Sequence, residues 1–355
     1  MKVAVLLYRQ AGAEWEALLA WVDPLAGKVL RLLTVPVSPN LGVFPRYDCA
    51  LVSYSEFPDG LPTTEWLDVY RVSDWSRRAH LPMDFRAQFN VSPEWPTFLR
   101  SPRDQFIYVY KAQTLGDHWA ADFICGLDLA SLAFTSWNFR IPECVSGWSA
   151  AVGRAQAQML FAACGVHEGK LPSKNFEQKV AFWLGPEEGM GPIVPIGPRP
   201  RSHSDLGQAN AILCAPERPL SIAVCNDGAA HLIDPLDFRY LEKQQVEFAP
   251  GHAMPVFAAQ VDPQGRFLYV GTAGADARSR GLVERVVVHD LDRNRRQTEW
   301  LLPEPFAQMV LSEDGNYLCG GSLESNQLWI LDANSGEPVA VMQLDGSPQY
   351  VIPCC

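Results

Sequence analysis

One pattern recurs from end to end of this chain: an apolar strand, an aspartate, a short turn and a second strand. It is sharpest in "NQLWILDANSGEPVAVMQL" (326–344), with Asp332 and Gly336 at the turn, and in "ALLAWVDPLAGKVLRLLTV" (17–35), with Asp23 and Gly27. It returns in "WLDVYRVSDWSRRAHLPM" (66–83), "DFICGLDLASLAFTSWNF" (122–139), "AAHLIDPLDFRYLEKQQV" (229–246) and "RVVVHDLDRNRRQTEWLL" (285–302). A weaker copy, "GVHEGKLPSKNFEQKVAFWL", occupies 165–184. From Asp23 to Asp332 these seven copies span six intervals, a period of about 50 residues.

A second hairpin precedes most copies. "AAQVDPQGRFLYVGT" (258–272) and "MVLSEDGNYLCGGS" (309–322) carry it clearly, and "FLRSPRDQFIYVYKA" (98–112) and "ILCAPERPLSIAVCN" (212–226) more loosely. The Asp-Pro-Gln-Gly and Glu-Asp-Gly turns supply the glycine that a tight hairpin needs at positive φ. Two hairpins per period make one four-stranded antiparallel blade, so the expected fold is all-β, a seven-bladed β-propeller. No helix-period segment longer than about two turns competes with it. Residues 1–355 are then a single domain, and the terminal "QYVIP" (349–353) is expected to complete the blade begun by "KVAVLL". The Gly- and Pro-rich stretch 184–208 reads as an irregular excursion, either a binding face or a linker between the fourth and fifth blades.

Composition narrows the partners. An apolar content of 48% is enough to bury a core, and a net charge of −11 argues against nucleic acid, whose phosphates need a basic face. No apolar run reaches the roughly 18 residues of a membrane-spanning helix, so no membrane is expected as a partner. "MKVAVLL" reads as a first strand and not as a complete secretory leader. Nine cysteines permit disulfides without requiring them. Cys144 and Cys164 flank what reads as one turn between strands, which suits a hairpin-bridging disulfide and a pair of buried thiols equally well.

Catalytic motifs are scarce. The histidines (His80, His118, His167, His203, His231, His252 and His289) are dispersed, with neither HxH nor HExxH spacing, so no metal site is expected. There is no GxSxG elbow, no Walker loop and no GxGxxG after a strand. Asp23, Asp128, Asp234, Asp290 and Asp332 hold the same turn position, where a carboxylate bonds its own turn backbone. The adjacent Cys354 and Cys355 read as a frayed tail. A chain of this size with a complete propeller and no catalytic constellation points to a scaffold, or to one subunit of an enzyme whose chemistry lies elsewhere.

Three stretches resemble one family. "WVDPLAGKVLRLLTVPVSPN" (21–40), "EWLDVYRVSDWSRRAHLPM" (65–83) and "IPECVSGWSAA…LFAACGVHEGKL" (from 141) are similar, in order and spacing, to the heavy subunit of the amine dehydrogenases. These are the methylamine and aralkylamine dehydrogenases, oxidoreductases that use tryptophan tryptophylquinone. The resemblance implies a heterotetramer of two heavy and two small, Cys-rich light subunits, periplasmic if the gene encodes a leader and cytoplasmic, with Cys144 and Cys164 reduced, if it does not. The quinone and the catalytic carboxylate belong to the light subunit, so this chain carries no cofactor and no catalytic residue. A primary amine leaves as aldehyde and ammonia, and electrons pass to a copper protein or a cytochrome.

The heavy subunit docks its partner and shapes the substrate channel, which on this resemblance is lined by Pro36, Val37 and Asn40. The family tends to carry an aromatic gate where this chain has Pro36-Val37, which implies a wider or differently gated channel and a substrate that is not simply methylamine. The loop 247–255, with His252, is looser than the family's. The family's cysteine pair at this spacing implies a Cys144–Cys164 bridge, worth about 3 kcal/mol for a loop of about 20 residues. A stand-alone propeller scaffold without redox activity is the alternative.

Overall fold

In the computed structural model the residues described are 2–36, 40–44, 47–56, 64–83, 97–100, 106–111, 114–115, 118–119, 123–138, 146–153, 158–164, 177–185, 187–198, 209–225, 227–248, 256–273 and 282–353. Every regular element among them is a β-strand, so the chain is all-β. Five sheets have four strands, one has seven and one is a two-stranded ribbon. The chain divides into two compact units: Met1–Pro93, Ala277–Arg285 and Trp300–Cys355 in the first, Glu94–Asp276 and Val286–Glu299 in the second.

The first unit holds the sheet that joins the two ends of the sequence. Its order is Ser347–Pro353, Val3–Ala11, Glu14–Asp23 and Lys28–Val35. Val3 lies opposite Pro353 and Val5 opposite Val351, as the pattern "QYVIP" predicts. In strand Val3–Ala11 the first five residues, 3–7, are apolar on both faces. Val3, Val5 and Leu7 pack with Val310, Cys319, Leu328 and Ile330, while Ala4 and Leu6 pack with Val43, Ala50 and Val52. A strand of side-chain period two fills both cores only if it is a continuous apolar run. Each fully buried valine or leucine contributes about 1.5–3 kcal/mol. The second sheet of this unit runs Asn40–Phe44, Cys49–Glu56, Thr64–Tyr70 and Arg77–Pro82.

The second unit contains the sheets Thr97–Arg100, Phe106–Lys111, Phe123–Asp128, Phe134–Asn138, then Ser146–Gly153, Gln158–Cys164, Glu177–Gly185, Gly189–Pro198, and then Ala209–Cys214, Ser221–Cys225, Ala229–Asp234, Arg239–Gln245. Ser221–Cys225 repeats the two-faced rule: Ile222 and Val224 enter one core, Ala223 and Cys225 the other. The seven-stranded sheet runs Val256–Val261, Phe267–Thr272, Val283–Asp290, Arg295–Leu311, Tyr317–Ser322, Gln327–Asp332, Pro338–Gln343; its first two strands belong to the second unit and its last three to the first. Where the sequence suggests two strands, one ending near 302 and one beginning near 309, a single strand of 17 residues runs through.

The stretch 184–208, expected to be irregular, is in part regular. Gly189–Pro198 is a strand paired antiparallel with Glu177–Gly185 at the end of its sheet. Prolines 192, 195 and 198 fit there because an edge strand needs no outward backbone donor. Residues 199–208 lie outside the described residues, as does 165–176 of the weak repeat copy.

Six of the repeated hairpins share one turn. The residue four after the aspartate position has positive φ in each: Gly27, Trp75, Leu132, Phe238, Asn294 and Gly336. In three of them the N–H of that residue donates back to the carbonyl at the aspartate position: Trp75 to Arg71, Leu132 to Asp128 and Gly336 to Asp332, at 2.8–2.9 Å. The aspartate carboxylate accepts from the N–H groups two and three residues on, at 2.8 and 2.7 Å for Asp128 and 2.9 Å twice for Asp332. Asp234 and Asp290 do the same, and Asp23 accepts from Ala26.

A bulky residue at positive φ costs about 1–2 kcal/mol, and aromatic packing offsets it. The Trp75 ring meets Trp21 edge-on at 5.9 Å, and Phe238 meets Phe182 at 5.0 Å. Where the turn carries Gly336, the Trp300 ring fills the space a side chain would occupy.

The hairpin 66–83 has Arg71 where the others have aspartate, and its cap comes from elsewhere. Asp48 accepts from the Ser73 N–H at 2.6 Å and the Ser73 hydroxyl at 2.9 Å. Ser73 is two residues past Arg71, the same N–H that the aspartates cap in the other turns. Asp48→Ala should therefore cost about 1 kcal/mol in urea unfolding. Arg71→Asp in that background should restore most of it; no rescue would mean the cap is not transferable.

Candidate functional site

The residues that the sequence singles out fall unevenly on the structure. Pro36 is half-buried just after strand Lys28–Val35, and Asn40 opens strand Asn40–Phe44 with its backbone opposite Ser53. Val37, between them, lies outside the described residues, as do Cys144, His252, Cys354 and Cys355. Cys164 ends strand Gln158–Cys164, where its backbone registers with Ser146, two positions past Cys144. Cys49, Cys214, Cys225 and Cys319 are free thiols. Burial pushes Cys49 up to about 12 and Cys214 up to about 11, so neither is a nucleophile at neutral pH.

The most concentrated polar chemistry among the described residues sits in the hairpin Thr64–Tyr70 and Arg77–Pro82. The register places Asp68 opposite His80. The Asp68 side chain is 4% exposed, and its Oδ1 lies 2.7 Å from His80 Nδ1. Its Oδ2 accepts from the Tyr70 hydroxyl at 3.1 Å and lies 3.6 Å from the Arg77 guanidinium. A buried carboxylate needs such partners, because an unpaired charge there is expensive. Burial, and then the neighbouring Asp68, push the Tyr70 phenol up to about 12, so it stays protonated and donates. The Trp66 ring stacks on His80 at 4.2 Å and 14°, and its N–H donates to Glu56 Oε2 at 3.0 Å.

This arrangement orients an imidazole. Asp68 engages Nδ1, the indole fixes the ring plane, and Nε2 is the remaining polar atom of a partly exposed ring. That is two-thirds of a nucleophile–His–Asp relay. Among the described residues no hydroxyl or thiol is hydrogen-bonded to Nε2, so the cluster is first a clasp holding the edge strand on its sheet.

Sequence reasoning missed it because Asp68 is not a turn aspartate and His80 is twelve residues away. Folding the chain about the turn 71–76 would have found the pair, since a hairpin sets residues at near-equal distances from its turn opposite one another.

The other two described histidine side chains are structural. His289 is fully buried and bonds through Nε2 to Gln244 Oε1 at 2.9 Å, while Gln244 donates to the Leu291 carbonyl at 2.8 Å. His231 is buried with Nδ1 3.3 Å from the Tyr240 hydroxyl. Burial, and then Lys243, lower its pKa from 6.5 to about 4. No group of three or more His, Cys, Asp or Glu among the described residues could hold a metal ion. No family model matches this chain, and no curated protein matches it.

Two outcomes test these assignments. Asp68→Ala strands both the His80 Nδ1 and the Tyr70 hydroxyl, and should cost about 2–4 kcal/mol in urea unfolding. His80→Ala leaves Asp68 its two other partners and should cost less; equal losses would refute the hierarchy. For His231, both folded and unfolded rings are neutral above pH 6.5, and the burial carries no pH-dependent penalty. Between 6.5 and about 4 the unfolded chain binds a proton that the folded one refuses, so stability falls across that window. His231→Gln should flatten the decline, measured as urea midpoints at pH 7, 6 and 5.

Proposed function

We propose that this chain is a seven-bladed β-propeller that binds partners rather than performing chemistry, and that it serves as the heavy subunit of a quinone-dependent amine dehydrogenase. The blade count is supported by the strand order. Five four-stranded sheets follow one another along the sequence. The seven-stranded sheet supplies two further sets of four if strand Arg295–Leu311 is shared between them. The sheet of strands Val3–Ala11, Glu14–Asp23 and Lys28–Val35 is completed by strand Ser347–Pro353 from the other end of the sequence, which is how a ring of blades would be held shut.

One observation supports the binding role: the turn aspartates, the Asp68–His80 pair and the two buried histidines serve the fold. Five turn aspartates cap their own backbones, Asp68 anchors His80, and His231 and His289 are buried. A scaffold spends its polar groups in this way, and the surface left over is available for docking.

The identity of the partner rests on the resemblance of 21–40, 65–83 and the stretch from 141. On that reading the light subunit brings the quinone, which takes two electrons from the amine and passes them to a copper protein or a cytochrome. Pro36, Val37 and Asn40 then line the approach to the quinone, the Cys144–Cys164 bridge forms, and the complex is periplasmic. Purification of this chain from its native cells is the test. The expected product is a heterotetramer of two heavy and two light chains with the visible absorption of a quinone, and Val37→Phe in it should shift preference toward smaller amines. A colourless protein purifying without a light chain would overturn the amine dehydrogenase reading and leave a stand-alone propeller scaffold.

A further inference from the structure

Strand Lys28–Val35 is the edge of its sheet, paired on one side with Glu14–Asp23. An edge strand of eight residues presents a row of backbone donors and acceptors to any chain that can lie beside it. Proteins usually blunt such an edge, and the edge strand Gly189–Pro198 does so with three prolines. Lys28–Val35 contains no proline, and residues 28–32 are exposed in an unbroken run. Three of those five are apolar, Val29 at 46%, Leu30 at 37% and Leu32 at 51% exposure.

The strand's charge runs against that of the chain. The chain carries −11 overall, whereas this strand carries Lys28 and Arg31 and no acid. Among the described residues neither cation pairs with a carboxylate. Asp23, which registers opposite Lys28, has its carboxylate turned to the Ala26 N–H.

A second copy of the chain fits this edge poorly. Full antiparallel pairing of the strand with itself would set Lys28 opposite Val35 and Arg31 opposite Leu32, so neither cation would meet an acid. The occupant that fits is acidic and extended, with apolar residues between its acids. We propose that Lys28–Val35 is a docking strand that takes up an acidic segment of a partner protein by strand addition, as a fifth strand on this sheet. Backbone bonds would supply the affinity, and Lys28 and Arg31, three positions apart, would select the register. The bulge at Leu30 sets Lys28 and Arg31 on one face, and Val29 and Leu32 would add apolar contact on the other. The strand's chemistry is independent of the quinone reading and holds for a scaffold with any acidic partner.

The test uses the full chain and two fluorescent peptides. One has glutamates two positions apart, on one face of an extended chain, with valine and threonine elsewhere; the other has lysines in place of the glutamates. Fluorescence polarisation should show binding of the glutamate peptide and a preference for it over the lysine peptide of about tenfold. The double variant Lys28→Glu, Arg31→Glu should reverse that preference. Leu32→Ser should weaken binding of the glutamate peptide without changing the preference. Hydrogen exchange should slow at 28–35 when the peptide is bound. Equal binding of the two peptides, no binding, a preference unmoved by the charge reversal, or protection confined to another strand would each overturn the proposal.

Discussion

Burial on both faces of the inner strands is the constraint on which the rest of this structure depends. Val3–Ala11 sends alternate side chains into two different cores, and Ser221–Cys225 does the same. A sheet with two apolar faces cannot stand alone in water, so each must be covered by its neighbours within its unit. The same constraint pushes polarity outward within a sheet. From the buried run of Val3–Ala11 the character changes to the exposed lysine, arginine and leucines of Lys28–Val35. Chemistry and recognition are therefore left to turns, edges and the residues beside them.

The turns show how a repeated backbone survives a changing sequence. Six hairpins place a positive-φ residue at one position, although only Gly27, Gly336 and Asn294 suit that conformation by themselves. Trp75 and Phe238 are held there by rings packed against them. Gly336 lies under Trp300, so a ring occupies the same neighbourhood whether it comes from the turn or from another strand. Capping is conserved as a contact and not as a position: with Arg71 in the aspartate's place, Asp48 reaches the same N–H from 25 residues away.

Much of the strand pattern was legible in the sequence. The hairpins at 17–35, 66–83, 122–139, 229–246, 285–302 and 326–344 read out from apolar runs broken by aspartate and glycine, and the structure contains all of them. The pairing of "QYVIP" with "KVAVLL" was equally readable. The segment 184–208 was misread because its prolines argue against an interior strand but permit an edge. The Asp68–His80 clasp was illegible as chemistry, since neither residue lies in a motif and only the register of the hairpin brings them together.

The sequence by itself determined most of the strands and the repeated turns between them, because those choices depend on side-chain alternation and on bonds spanning a few residues; the strand Gly189–Pro198 and the unbroken run Arg295–Leu311 were not among them. The tertiary structure decided which polar groups are spent and which remain. Asp48 became a cap for a distant turn, Asp68 became buried with His80, Tyr70 and Arg77 about it, and Lys28–Val35 became an edge. Each of those outcomes depends on what lies beside a residue in space, and strands far apart in sequence are neighbours only after the sheets have packed.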